Sequence, residues 1–176
     1  MIATDLVRIL IIDDHEVVRR GVKQILEEHF LYVEVGEANT GAKGIAAVRK
    51  EPWDLVIVDI SLPDQSGLDL LGELHSTAPQ LPLMILSLHS EEQYAVRALR
   101  AGAMAYLTKN TAPEELVRAV KQALRGKKYV PATIGERLAG NLSKSPPGSE
   151  HHILSKRELE VLVSLAQGQS IKHIAQ

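Results

Sequence analysis

The chain contains no cysteine, which excludes disulfide bonds, thiolate metal sites and thiol nucleophiles. No uninterrupted apolar run approaches the roughly 20 residues that a membrane-spanning helix needs. The first residues also lack the basic stretch and apolar core of a secretory signal peptide. The mean hydropathy of −0.03 and the hydrophobic fraction of 45% are ordinary for a globular protein. We therefore expect a cytoplasmic protein that has no contact with a membrane.

Charge is distributed unevenly along the 176 residues. Residues 1–126 contain 13 Lys and Arg against 18 Asp and Glu, a net charge of −5, whereas residues 127–176 contain 7 against 4, a net charge of +3. An acidic first part and a mildly basic second part indicate two different tasks, and the basic part is typical of a contact with nucleic acid.

The first 126 residues alternate short β-branched runs with longer amphipathic stretches. Periodicity predicts strands at 7–12, 32–35, 55–58, 83–86 and 105–107, and helices at 15–28, 41–50, 68–76, 91–101 and 113–125. In the first helix the predicted buried stripe consists of Val17, Val18, Val22, Ile25 and Leu26. Five β-α units predict an α/β domain whose parallel sheet is covered by helices on both faces.

The pattern changes after Gly126. Residues 127–152 are predicted to be a linker, with a break at 127–131, a short helix at 132–142 and a Ser/Pro/Gly-rich stretch at 143–152. Helical patterning resumes at Ser155, which forms a capping-box pattern with Glu158. Gly168 suits the end of that helix and Ser170 the beginning of another, so residues 153–176 are predicted to be two helices joined by a short turn.

Polar side chains follow four of the predicted strands. Asp13 and Asp14 follow the first strand, Asp59 the third, Ser87 the fourth and Lys109 the fifth. In an open parallel sheet these strand ends meet at the edge where ligands bind. Three neighbouring carboxylates repel one another, so a hard divalent cation is expected there, and a set of oxygen ligands favours Mg²⁺. One carboxylate can then be the nucleophile that forms an aspartyl phosphate.

Four segments carry a resemblance to a known family: residues 12–15, 58–68, 86–87 and 101–109, which read IDDH, VDISLPDQSGL, LS and AGAMAYLTK. Together they resemble the receiver domain of two-component response regulators, over about the first 126 residues. The resemblance implies a flavodoxin-like (βα)5 fold with strand order 2-1-3-4-5. It also implies that Asp59 is the phosphoacceptor.

The resemblance implies a role for each polar residue at the strand ends. Asp14, Asp59 and the backbone carbonyl of Ser61 would coordinate Mg²⁺, and Asp13 would act mainly through water. Lys109 would pair with the phosphoryl group.

Other residues near these motifs have expected roles as well. Ser87 and Tyr106 would form a switch pair, in which the hydroxyl moves toward the phosphate and the ring turns inward. Gly67 would provide a tight turn that needs a permissive backbone. His15 is interpreted as a solvated histidine at a helix start, rather than as a ligand or a base. Asn110 stands where the family frequently has proline, which predicts a trans peptide at that position.

Residues 154–162 and 166–175 resemble the opening of a LuxR-type helix-turn-helix, so the whole chain resembles the NarL/FixJ class of transcriptional regulators. The predicted domains are a receiver over 1–126, a linker over 127–152, and the N-terminal part of a DNA-binding domain over 153–176. This last part ends at Gln176, before the recognition helix that would enter the major groove. Lys172 matches a position that can contact DNA phosphate.

The predicted function is a phosphorylation-activated response regulator. It would receive its phosphoryl group from a sensor histidine kinase or a small phosphodonor, form a homodimer and regulate transcription on promoter DNA. It would catalyse only its own phosphorylation and dephosphorylation. The alternative, motivated by the end at Gln176, is a receiver-type switch without DNA-binding output.

Two enzyme classes are disfavoured. A Mg²⁺-dependent phosphatase of the haloacid-dehalogenase type needs a second carboxylate two residues after the nucleophile, where Ser61 stands. A nucleotide-binding enzyme would need a glycine-rich phosphate loop after the first strand, where the sequence instead reads Asp-Asp-His-Glu.

Overall fold

The structure is a computed structural model that describes residues 6–88 and 92–131. In this part of the chain five strands alternate with five helices, as the sequence predicts. The elements are β1 (Val7–Ile12), α1 (Glu16–His29), β2 (Val33–Ala38), α2 (Gly41–Lys50), β3 (Leu55–Val58), α3 (Gly67–Thr77), β4 (Leu83–Ser87), α4 (Glu92–Arg100), β5 (Ala105–Thr108) and α5 (Pro113–Ala123). None of the helices described is both long and apolar enough to cross a membrane.

The five strands form one sheet with the order β2-β1-β3-β4-β5, and all neighbouring strands are parallel. The predicted fold and strand order are therefore confirmed. The predicted bounds of β2 were too early, because the strand continues to Ala38 and leaves Tyr32 outside it, half exposed. Pairing with the whole length of β1 extends β2 through Gly36 and Glu37, two residues that carry no β-branched pattern.

The sheet separates the core into two layers of buried side chains. Alternate β1 residues point to opposite faces, so Leu10 and Ile12 belong to one layer and Ile9 and Ile11 to the other. The first layer is covered by α2, α3 and α4, and the second by α1 and α5. Burial on both faces explains why the central strands are continuous apolar runs.

The buried stripe of α1 is narrower than predicted. Val22 and Leu26 are buried and Val18 packs beside them, but Val17 is 84% exposed. At 100° per residue, a position five residues before Val22 lies about 140° away around the helix. Val17 therefore faces solvent, and its prediction as a core residue was wrong.

After α5 the chain returns to the sheet instead of leaving it. Tyr129 forms a parallel bridge with Ala105 in β5, and its N–H donates to the carbonyl of Met104 at 2.7 Å. Val130 and Pro131 are buried. The Tyr129 hydroxyl also donates to Glu115 of α5 at 3.1 Å, so residues 127–131 cover part of the β5 edge.

Candidate functional site

Two aspartates form the base of a polar site at the carboxyl ends of the strands. Asp13 and Asp59 are each 2% exposed, although both carry carboxylates. Their backbones are fixed by the sheet: the Asp59 N–H donates to the Ile12 carbonyl at 2.8 Å, and the Asp13 N–H donates to the Ala38 carbonyl at 3.0 Å. Asp14 lies beside them with its side chain 37% exposed. The structure thus brings the three predicted carboxylates together.

Lys109 reaches this group from the end of β5. Its ammonium donates to Asp59 Oδ2 at 2.7 Å and also lies 2.7 Å from Asp13 Oδ2. The Lys109 side chain is only 3% exposed, and its backbone N–H donates to the Ser87 carbonyl at 2.8 Å. One buried cation therefore bridges two buried carboxylates, as expected from the convergence of strand ends. The predicted trans peptide at Asn110 is confirmed.

Asp59 is in an unfavourable environment for a charge. Burial raises its pKa above the ordinary carboxyl range, and the nearby charge of Asp13 adds to that rise, whereas the hydrogen bond from Lys109 opposes it. Asp59 Oδ1 is buried and has no hydrogen-bond partner among the described residues. A buried carboxylate oxygen without a partner is costly, and it is an available acceptor for a ligand at this position.

His15 occupies the N-cap position of α1 and points its ring at the acidic group. Its Nδ1 lies 2.8 Å from Asp14 Oδ1, 3.1 Å from Asp13 Oδ1 and 3.8 Å from Asp59 Oδ2. The His15 backbone N–H also donates to Asp13 Oδ1 at 2.8 Å. The side chain is 48% exposed, so it combines contact with solvent and contact with all three carboxylates. The predicted position at a helix start, in contact with solvent, agrees with this placement, and the contacts of the ring with the carboxylates add to it.

The loop between β3 and α3 closes one side of the site. Ser61 and Ser66 form an antiparallel bridge, and the Gly67 N–H donates to the Ile60 carbonyl at 2.8 Å. A Cβ on Gly67 would lie 2.1 Å from the Asp59 carbonyl oxygen. Gly67 has no left-handed φ, so it is required for this close approach and not for the permissive turn that the sequence suggested.

Asp64 in the same loop connects the site to α2. Its two carboxylate oxygens accept the N–H groups of Gly41 and Ala42, each at 2.9 Å. These contacts lower the pKa of Asp64, because they stabilise its charged form at the N-terminus of a helix. Sequence reasoning did not identify this role, since Thr40 already supplies a local cap by accepting from the Lys43 N–H. Only the position of Asp64 next to Gly41 in the fold reveals it.

The two predicted switch residues lie on neighbouring strands. Ser87 is fully buried at the end of β4, and Tyr106 is 1% exposed in β5. The Tyr106 ring belongs to the core layer under α2, α3 and α4. The Tyr106 ring therefore lies inward in this structure, and the switch role of the pair stays a prediction. Lys172 lies outside the described residues.

The donor set fits a divalent cation. Oxygen or nitrogen atoms of Asp13, Asp14, His15 and Asp59 all lie within 4.8 Å of one another. Within the part of the chain that the structure describes, three carboxylates lie near one ammonium, which leaves excess negative charge, and Asp59 Oδ1 lacks a partner there. An acidic group of this kind, rich in oxygen atoms, is typical of Mg²⁺ sites in proteins.

Comparison with known protein families gives one match that covers most of the described residues. The model of the response regulator receiver domain matches residues 9–121. These residues include every strand end that contributes to the acidic site.

Curated proteins match over nearly the whole chain. Response regulator UvrY of Escherichia coli K12 is 30% identical over 172 residues, which are 97% of this chain and 79% of UvrY. The nitrate/nitrite response regulator protein NarL of the same organism is 34% identical over 169 residues, 95% of this chain and 78% of NarL.

A solved structure of a two-component response regulator of the LuxR family, from Aurantimonas sp. SI85-9A1, has the same fold. It superimposes with a TM-score of 0.74 at 28% identity, and the match covers 80% of this chain and all of the other. The similarity therefore extends from sequence to architecture.

Proposed function

Because this chain belongs to the response regulators, we propose that Asp59 is the residue on which it accepts a phosphoryl group. The observation that supports this assignment is the state of the Asp59 carboxylate. It is buried, it is held by Lys109 at 2.7 Å, and its second oxygen has no partner among the described residues. As a response regulator the chain is a phosphorylation-activated regulator of transcription, and Asp59 is the proposed switch position.

The proposed step is attack by a carboxylate oxygen of Asp59 on the phosphorus of a donor. A new P–O bond forms on Asp59, the bond between phosphorus and the donor breaks, and the donor leaves with that electron pair. Lys109 would hold the charge of the transferring group, since its ammonium lies at hydrogen-bond distance from the acceptor carboxylate. The proposed donors are a sensor histidine kinase or a small phosphodonor. Catalysis would extend only to the chain's own phosphorylation and its hydrolysis.

The cation proposed for this site is Mg²⁺, held by Asp14, Asp59 and the backbone carbonyl of Ser61, with Asp13 acting through water. When bound, it would neutralise charge on the phosphoryl oxygens. The three carboxylates support the proposal because Lys109 balances only part of their charge. Removal of the Mg²⁺ by a chelator should therefore slow the phosphorylation of Asp59.

The proposed output follows from what phosphorylation does to charge. A phosphoryl group adds about −1.5 to −2 charge and strong acceptor oxygens at Asp59. Ser87 and Tyr106 are proposed to transmit this change to the surface formed by α4, β5 and α5. A homodimer in the cytoplasm that contacts promoter DNA is the proposed active form. Lys172 is the proposed phosphate contact in that complex.

The test compares Asp59→Asn with Asp69→Asn, which removes an exposed aspartate from the first turn of α3. The full chain is incubated with Mg²⁺ and a small acyl phosphate, and the intact mass is followed with time. We expect the parent chain and Asp69→Asn to gain one phosphoryl group, and Asp59→Asn to gain none. Phosphorylation of Asp59→Asn at the parent rate would show that another residue is the acceptor.

A further inference from the structure

His15 places a nitrogen atom among the carboxylates of the acidic site. Its Nδ1 lies 2.8 Å from Asp14 Oδ1 and 3.1 Å from Asp13 Oδ1. An octahedral ion with ligands at about 2.1 Å separates adjacent donors by about 3 Å and opposite donors by about 4.2 Å. The distance to Asp14, a direct ligand in the proposed site, matches adjacent positions, whereas the 3.1 Å to Asp13 Oδ1 is a hydrogen-bond distance, as suits a residue that acts through water. The distance of 3.8 Å to Asp59 Oδ2 falls between the two ideal values.

The backbone that carries the ring is held by two hydrogen bonds, and the ring nitrogen Nδ1 also lies 3.4 Å from the Lys109 ammonium. The His15 N–H donates to Asp13 Oδ1 at 2.8 Å, and the Arg19 N–H donates to the His15 carbonyl at 3.1 Å. His15 is therefore fixed at the junction of the Asp-Asp turn and the first turn of α1. A second observation points to a ligand here: the Asp59 side chain is 1% exposed, and its Oδ1 has no partner among the described residues.

We propose that His15 is a nitrogen ligand of the cation site and that it makes the site prefer a divalent transition-metal ion, with Mn²⁺ as the probe, over Mg²⁺. This inference rests on the proposed cation site and adds a ligand that the all-oxygen set of Asp13, Asp14, Asp59 and Ser61 does not contain. The imidazole would be in the tautomer with its proton on Nε2, so that the Nδ1 lone pair meets the ion.

The chemical basis is the difference between the two ions. Mg²⁺ demands oxygen ligands and keeps several waters, so an imidazole in its shell contributes little. Imidazole suits first-row transition metals such as Fe²⁺, Ni²⁺, Cu²⁺ and Zn²⁺ better than it suits Mg²⁺. Mn²⁺ has the lowest affinity in that series, so an effect of His15 on Mn²⁺ is a lower bound for the series. Removing His15 should therefore weaken transition-metal binding and leave Mg²⁺ binding almost unchanged.

The experiment titrates the full chain with Mn²⁺, following free Mn²⁺ by electron paramagnetic resonance, and measures Mg²⁺ by competition. Electron spin echo modulation of the bound Mn²⁺ then reports directly whether nitrogen is coordinated. The variants are His15→Ala and, as a matched control, His29→Ala. His29 is an exposed histidine at the other end of α1, about 20 Å further along the helix axis. Asp14→Asn tests the cation site itself.

We expect nitrogen modulation in the parent chain and in His29→Ala, and none in His15→Ala. We also expect His15→Ala to bind Mn²⁺ about tenfold more weakly, while its affinity for Mg²⁺ changes less than about twofold. Equal Mn²⁺ affinity in His15→Ala and the parent, without nitrogen modulation, would overturn the role of His15. If Asp14→Asn still weakened binding in that case, the cation site would stand without it.

The experiment gives a different result if the proposed cation site itself is wrong. If Asp14→Asn and Asp59→Asn both bound Mn²⁺ as the parent does, the ion would lie elsewhere, and both the proposed site and the role of His15 would be wrong. Loss of affinity in His15→Ala for both ions to the same extent would also overturn the proposal, since it would indicate a disturbed Asp-Asp turn.

Discussion

The substitution Gly67→Ala adds a single carbon atom, Cβ, and should lower both the stability of the fold and the rate of phosphorylation. A Cβ at this position would lie 2.1 Å from the Asp59 carbonyl oxygen, 2.7 Å from Ile60 Cα and 2.9 Å from the Asp59 carbonyl carbon. All three neighbours are backbone atoms, so no side chain can rotate away. Ordinary contact begins at 3.4 Å. The loop or the end of β3 must therefore move by about 1 Å to admit the methyl group.

The size of both effects follows from that displacement. Overpacking of this kind typically costs about 1–3 kcal/mol of unfolding free energy. Asp59 is also the proposed acceptor, and a misplacement of about 1 Å in a reacting group can slow a reaction about 100-fold. We expect Gly67→Ala to lose stability within that range and to slow phosphorylation by at least about tenfold.

Gly72→Ala is the matched control because it lies in the same helix and has nothing within 4 Å of its added Cβ. There the substitution should stabilise α3 by about 0.5–1 kcal/mol through helix propensity alone. Urea unfolding gives the change in free energy, and intact-mass measurements with a small acyl phosphate give the phosphorylation rate. The reasoning would be refuted if Gly67→Ala matched Gly72→Ala in both measurements.

Three further predictions concern charge and burial. Asp59→Asn should raise the unfolding free energy by about 1 kcal/mol at neutral pH, because it removes one of two neighbouring buried carboxylates while Lys109 keeps Asp13 as its partner at 2.7 Å. Burial raises the pKa of Asp59, so folding favours its protonated form. The gain in unfolding free energy of the variant over the parent should therefore shrink in mild acid, where Asp59 becomes protonated. Urea unfolding at two pH values checks this. Asp64→Ala should lower stability at neutral pH. Because the pKa of Asp64 lies below its ordinary 3.8, this loss should disappear as the pH falls through that lowered pKa, and an unchanged difference in acid would contradict it. Val22→Ala should cost about 1–3 kcal/mol and Val17→Ala less than about 0.5 kcal/mol, and equal losses in urea unfolding would contradict the assignment of Val17 to the surface.

The alternation of strands and helices could be predicted from sequence because buried parallel strands are continuous apolar runs. The polar strand ends were equally readable, since Asp13, Asp59 and Lys109 each interrupt or follow such a run. The bounds of the edge strand β2 were harder to predict. Only one neighbour in the sheet buries it, so its pattern of Val, Glu, Gly and Ala contains little periodic information.

The contacts that could not be predicted are those between loops distant in sequence. Asp64 caps α2 from 22 and 23 residues away, and nothing local distinguishes it from a solvated loop aspartate. The direction of the His15 ring depends on the turn made by Asp13 and Asp14, which the strand pattern does not specify. Such contacts are fixed by tertiary structure, and side-chain chemistry alone leaves several arrangements open.

The return of residues 127–131 to the β5 edge changes where the rest of the chain is anchored. The Tyr129 N–H donates to the Met104 carbonyl, and the Lys128 ammonium donates to the Leu99 carbonyl at 3.3 Å. Among the described residues, attachment to the domain therefore continues past the end of α5 to Pro131, which is buried. Residues 127–131, which could span about 17 Å when extended, are thus bound to the domain and do not act as free linker. Any pull from the C-terminal side would therefore load β5, the end of α4 and, through the Tyr129 hydroxyl, Glu115 in the first turn of α5.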